Sequence, residues 1–372
     1  MFGGNIVSGS TQFSLSNPNI RWQSNKQTNI GLDFGLLNDV ITLSADHYVS
    51  TSQGLLVTAP IPWSLGSSVQ IPDYPFVVPQ NPVVNAGSVR NTGFEFNLVH
   101  HLDVPAFRLN TTLNFNTIHN RVVSLGNGGQ PIYAGFANVA RTAVGHPIGE
   151  FWVYHTAGIF QSAADVAAHP AQAGAQPGDV IYVDKNGDGV LDDNDRYAAG
   201  SGIPKWTGGL FFDGKFRSFD FGLNMHGSHG AKIFNVERYW SDRTDDPQNH
   251  RAGYTPWTQA NPSTTTPRAV FGPAGFSNDR QNSDRWIEDG SYWRIQNLVI
   301  GYTLPGSFLQ RTGLRTEAPR IYLNIQNLKT FTDYTGWDPE ILGQADPLAR
   351  GIDDGRIYPN VRTISFGLDL RM

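Results

Sequence analysis

Thr363-Ile364-Ser365-Phe366-Gly367-Leu368-Asp369-Leu370-Arg371-Met372, the last stretch of the chain, alternates apolar and polar residues without a break. Successive side chains of a strand point to opposite faces. Ile364, Phe366, Leu368, Leu370 and Met372 therefore share one face, and Thr363, Ser365, Gly367, Asp369 and Arg371 share the other. A sheet of such strands has one greasy side and one wet side. Long strands of this kind suit a transmembrane β-barrel, whose outside meets lipid and whose lumen is polar.

The same alternation recurs upstream in pairs. Ile30, Leu32, Phe34 and Leu36 alternate with Asn29, Gly31, Asp33 and Gly35. Asn38-Asp39 then signals a turn, and Val40, Thr42, Ser44, Asp46 and Tyr48 begin a partner strand. A second hairpin runs through Phe94, Phe96 and Leu98, turns near Asp103-Val104-Pro105, and returns through Phe107, Leu109, Leu113 and Phe115. A third has Leu210 and Phe212 before a turn near Arg217-Ser218, then Phe219, Phe221, Leu223 and Met225. Three further strands are expected at 291–304, 319–329 and 361–372, with a short helical turn from Ser307 to Thr312. Residues 52–85, 161–200 and 236–288 read as irregular polar excursions. Short turns thus alternate with loops of roughly 35–55 residues, which a soluble domain rarely needs. Strands of ~10 residues also exceed the usual 5–6. The expectation is an all-β, antiparallel transmembrane barrel with long extracellular loops, favoured over a secreted β-sandwich.

Composition agrees. Charged residues are 16% of the 372, aromatics 12%, and there are 40 glycines, which suits turn-rich β structure. The net charge is −5 and the 27 Lys and Arg are scattered, so nucleic acid is not an expected partner. The absence of cysteine excludes disulfides and thiolate metal sites. No stretch approaches the ~20 apolar residues of a spanning helix. Met1-Phe2-Gly3-Gly4-Asn5 lacks a basic-then-apolar leader, and the chain is expected to be the downstream part of something longer.

One motif carries sharp chemistry. Asp184 to Asp195 fits the twelve-residue calcium loop: Asp184, Asn186 and Asp188 at positions 1, 3 and 5, Gly189 at the sharp turn, the Val190 carbonyl, Asp192 and Asp195. The expected cofactor is a structural Ca²⁺ that rigidifies an excursion, although position 12 holds Asp rather than the bidentate Glu. No Ser–His–Asp arrangement or phosphate loop is present. His226 and His229 lack a third donor, His100 and His101 point to opposite faces, and Asp245-Asp246 and Asp353-Asp354 read as solvated loop residues. No enzymatic activity is expected. Trp63, Tyr74, Trp240, Tyr254, Trp257 and Trp286 lie in or beside polar loops, where their faces suit sugar rings or apolar peptide side chains.

Several runs, in order, resemble the SusC/RagA family of TonB-linked outer-membrane receptors. They are Asn17-Pro18-Asn19-Ile20-Arg21-Trp22-Gln23, Gln27 to Phe34, Asn85 to Glu95, and Gly178-Asp179-Val180 leading into the calcium-type loop. Pro204 to Leu210, Asp289 to Leu298, Asn324 to Leu328, and Thr335-Gly336-Trp337-Asp338-Pro339-Glu340 complete the set. The resemblance implies a barrel of about 22 strands around a plug, in a Gram-negative outer membrane. It implies import of oligosaccharides or peptides under a SusD-like surface lipoprotein, driven by the TonB complex. This chain would supply the C-terminal wall, about ten strands, without plug, TonB box or signal peptide, and would not transport alone. The family's last strand usually ends in an aromatic residue; here it is Met372.

Overall fold

A computed structural model describes residues 17–58, 83–85, 87–169, 172, 174–243, 249–270, 282–305, 319–341 and 346–370. The alternating stretches form one antiparallel sheet of β1 (Ser24–Leu36), β2 (Ile41–Gln53), β3 (Ser88–Val104), β4 (Phe107–Thr117), β5 (Trp206–Phe216), β6 (Phe219–His229), β7 (Tyr292–Thr303), β8 (Arg320–Thr332) and β9 (Thr363–Asp369). They stand in chain order. A tenth piece, His119–Ser124, continues beside β3 beyond the end of β4. The helical turn expected at Ser307–Thr312 lies outside the described residues.

Register keeps the two faces separate. Phe34, Leu43, Leu98, Leu113, Leu210, Met225 and Ile295 stand side by side across β1 to β7. One position along, on the other face, the row is Asp33, Ser44, Asn97, Asn114, Gly209, His226 and Arg294. A slip of one residue anywhere would put carboxylates among the leucines, so the pattern itself pins the pairing. Where β7 and β8 meet, a bulge skips a residue, and Asn327 takes a left-handed φ of 51°.

The apolar face carries aromatic side chains near both ends. Phe107, Phe216, Phe219 and Tyr302 cluster at the turn end, with Phe219 and Tyr302 ring centroids 4.8 Å apart. Phe115, Trp206, His229 and Trp293 cluster at the other end, Trp206 lying 5.4 Å from Phe115 and 6.0 Å from Trp293. Ten steps of ~3.3 Å separate Trp206 from Phe216 along β5; at a tilt near 40° this spans ~25 Å, the height of an outer-membrane apolar band. Between the bands the face is left to the surroundings: Phe366 is 84% exposed and Ile30 70%.

Three links at the turn end are tight. Leu37, Asn38 and Asp39 all take left-handed φ between β1 and β2, Pro105-Ala106 joins β3 to β4, and Arg217-Ser218 joins β5 to β6. The second turn therefore sits just past the expected Asp103-Val104-Pro105.

Every long excursion leaves from the opposite end, and the expectation that these are irregular is corrected. Ile132–Ala134, Ala140–Thr142, Glu150–Tyr154 and Arg196–Ser201 form a small sheet, and Lys232–Asn235 pairs with both Ile287–Asp289 and Ile352–Asp353. Short helices α1 (Ala163–Ala168) and α2 (Val236–Asp242) complete them. Val139, Phe151, Val153, Phe234, Tyr239, Trp286 and Ile352, drawn from different excursions, share a core. No single excursion shows a strong apolar period, because each contributes only two to four buried side chains to this pooled cluster.

Candidate functional site

The excursions carry the groups that chemistry could use. A cleft of about 710 Å³ opens between α2 and the segment after β8. It is lined by Asn235, Glu237, Trp240, Arg251, Trp337 and Asp354, among others. Asn235 caps α2 by accepting from the Arg238 backbone N–H, which fixes the helix start and aims Glu237 and Trp240 along it. Burial and the charge of nearby Asp353 push the Glu237 carboxyl up from its ordinary value, against the opposing influence of the Trp337 side chain beside it. Arg251 pairs with Asp242 at 2.7 Å and Arg238 with Glu288 at 3.0 Å, so both guanidinium groups are held in place.

Of the aromatics expected to meet a ligand, the structure brings one to this cleft. Trp240 is 43% exposed and braced by the rings of Tyr239 and Phe136. Trp286 is corrected: it is fully buried in the pooled core, edge-on to Tyr239 at 5.3 Å, and offers no face to a ligand. Tyr254 donates its hydroxyl to the Asp242 carbonyl at 2.7 Å and stacks on His250. Trp257 donates to Gln161 Oε1 at 3.1 Å and lies against Gly178, whose φ of 92° and missing Cβ let the ring approach. Trp63 and Tyr74 lie outside the described residues, as do Asp245 and Asp246. Sequence reasoning missed Trp337, 75% exposed, although the same criterion of an aromatic in a polar loop selects it.

In the calcium-type loop, the Gly187 and Gly189 amides donate to Asp184, Asn186 Nδ2 donates to Asp188, and Asp192 caps a turn ending at Asp195. Val190 projects to solvent. Asp195 is fully buried. Desolvation would raise its carboxyl, but backbone N–H groups of Asp192, Lys185 and Asn186 and a hydrogen bond with Asp184 hold it below its ordinary value. Positions 1 and 12 thus converge, as a cation loop requires. Among the described residues no three Asp, Glu or His side chains form a cage unaided, so amide and backbone oxygens would have to complete the shell.

The remaining candidates resolve by face. His226 lies on the polar face, 3.5 Å from Glu340, while His229 stacks on Trp206 on the apolar face, so the two cannot chelate together. His101 donates its Nδ1–H to Asn110 Oδ1 at 2.8 Å on the polar face, opposite to His100. Asp353 is corrected from a solvated residue to a buried one that accepts from the Tyr334 hydroxyl at 2.6 Å.

Residues 1–328 match the family model described as TonB dependent receptor-like, beta-barrel. The chain belongs to that family. This receptor-family chain is 31% identical to the TonB-dependent receptor P3 of Formosa agariphila, over 99% of its own length and 36% of the relative's. It is 25% identical to the TonB-dependent receptor SusC of Bacteroides thetaiotaomicron, over 98% and 34%. It therefore spans about a third of the length of these relatives. Among solved structures, that of the RagAB peptide transporter aligns with a TM-score of 0.75 at 22% identity, over 96% of this chain and 36% of that one, a likeness of fold.

Proposed function

We propose that this chain forms the C-terminal barrel wall and cell-surface excursions of an outer-membrane, TonB-dependent importer of oligosaccharides or peptides. A SusD-like surface lipoprotein would cover the loop end, and the TonB complex would supply energy through a plug borne on another part of the receptor. The chain's own contribution is positional rather than chemical: it walls a polar lumen and presents loops. The observation that carries this reading is the unbroken sheet with an apolar face bounded by two aromatic bands, in a chain of this family.

The test is fractionation of cells expressing the intact receptor, with gel migration compared before and after boiling. Recovery in the outer membrane with heat-modifiable migration, and uptake lost when TonB is deleted, is expected. Recovery in the aqueous phase without heat-modifiable migration would sink it.

A Ca²⁺ held by Asp184, Asn186, Asp188, the Val190 carbonyl, Asp192 and Asp195 would stiffen the excursion between β4 and β5. The approach of the Asp184 and Asp195 carboxyl groups supports it, since a divalent cation could hold the two together in place of the proton they would otherwise share. EDTA is expected to expose a protease site near residue 190. Unchanged digestion would remove the ion from this account.

A further inference from the structure

Where the apolar face of β1 to β3 runs out at the loop end, it runs out in cations. Ile30, His47 and Phe94 stand side by side across the three strands. The next row on the same face is Thr28, Val49, Thr92 and His119. After it come Lys26, Thr51, Arg90 and Arg121. Directly opposed residues share a face, so these side chains point the same way as Phe34 and Leu43. Lys26 lies four residues beyond Ile30 and Arg90 four beyond Phe94. That is ~13 Å along the strands, or ~10 Å of height at a tilt near 40°. The row therefore sits at the level of lipid headgroups, just past the apolar band.

Its charges are uncompensated. Among the described residues, Lys26, Arg90 and Arg121 enter no ion pair, and the Arg90 Nε reaches the Thr51 hydroxyl at 3.4 Å. The acids of these strands, Asp33, Asp46 and Glu95, lie on the opposite face. Arg90 and Arg121 stand directly across from each other, an arrangement that repels unless an anion lies between them. A groove of about 310 Å³ on the same face is lined by Lys26, Thr28, Val49, Thr51, Gln53 and Arg90. At the turn end the three strands carry Leu36, Ile41 and His100 instead. Strands that complete a barrel extend the sheet sideways from β1 and β9, and a plug lies on the polar side. Neither covers the outer face of β2 and β3.

We infer that this row binds the phosphate of an outer-leaflet lipid. The phosphate sits between Arg90, Arg121 and Lys26, each guanidinium offering paired N–H donors and Thr51 a hydroxyl. The acyl chains run down over Ile30, Leu32, Phe94 and Phe96, all exposed. A free phosphate ion would use the cations alone. Their continuity with the apolar face favours a lipid. The inference rests on the import reading in one respect, that this face meets the membrane with the loop end outward.

The experiment uses the intact receptor, delipidated in neutral detergent. The probes are phosphorylated lipid A, the same lipid A stripped of its phosphate, and inorganic phosphate. Binding is read by native mass spectrometry and by the shift in thermal unfolding. The phosphorylated lipid should bind about tenfold more tightly than the stripped one, and less tightly as salt rises. Arg90→Gln combined with Arg121→Gln should weaken it by about tenfold, while Arg90→Lys alone keeps the charge and most of the affinity. Lys26→Gln, which leaves the arginine pair intact, should weaken it less and serves if the double variant fails to fold. Equal binding of the two lipids, affinity unmoved by the substitutions, or displacement by inorganic phosphate at the lipid's own concentration would overturn the proposal. An unmoved affinity with an altered oligomeric state would assign the row to a second copy of the receptor, and overturn it too. Outer-membrane recovery and heat-modifiable migration report separately on the import reading. If they hold while lipid binding ignores the substitutions, the lipid proposal alone fails.

Discussion

Arg294 is 2% exposed and charged, which is tolerable only because its partners are complete. Its guanidinium pairs with Asp338 and reaches Glu340 at 2.6 Å and Thr330 at 2.9 Å, and Asn360 donates to Asp338 from the far side of the same excursion. The cluster pins Asp338, Glu340 and Asn360 of this excursion to the polar face of β7. Removing Asp338 leaves the buried Arg294 with Glu340 as its remaining carboxylate and strips Asn360 of its partner, so Asp338→Ala should cost about 1.5–3 kcal/mol locally. Trypsin should then cut this excursion in the otherwise heat-modifiable receptor. Desolvation would raise the Asp338 carboxyl, but the Glu340 and Asn360 amides and Arg294 hold it below its ordinary value. A lowered folded value means the stabilisation is complete above the unfolded value near 3.9 and is lost as pH falls through the folded one. The same excursion should therefore loosen to an acid-active protease only below about pH 4, and stay closed between pH 5 and 8. The run Thr335 to Glu340 stood out in the sequence, but its role did not. Pairing with Arg294 links positions 44 residues apart that share no local pattern.

The strands were legible because each repeats one rule over its whole length. Their faces answer substitution differently. Leu210 lies mid-strand on the apolar face of β5, between Leu113 and Met225. Leu210→Arg should cost about 2–4 kcal/mol in the bilayer and reduce the heat-modifiable fraction. Asn224→Arg, on the polar face of adjacent β6, should leave that fraction intact. The excursions obey no such rule. Trp286 looked like a loop aromatic free to bind, yet it fills a core assembled from strands and turns distant in sequence. Trp286→Ala should cost about 3–5 kcal/mol and open the excursions to protease, while slow hydrogen exchange persists in β2 to β8.

At the scale of the whole molecule, β1 and β9 pair on one side only, so the sheet has two open edges among the described residues. Lipid tolerates no unpaired backbone edge. Met1–Met372 refolded by itself into micelles is therefore expected to aggregate or stay protease-sensitive, whereas the intact receptor folds to a heat-modifiable form. A closed, resistant form of the isolated chain would contradict this. What the sequence determined alone is the wall: strand positions, the two faces, chain-order pairing and the tight turns all follow from alternation of period two and a few turn residues, which act between near neighbours. The loop core, the burial of Trp286, Asp353 and Asp195, and the cleft of Trp240 and Trp337 were decided only in the tertiary structure. Each is made by side chains from separate excursions, and contacts between distant segments leave no period in the chain to be read.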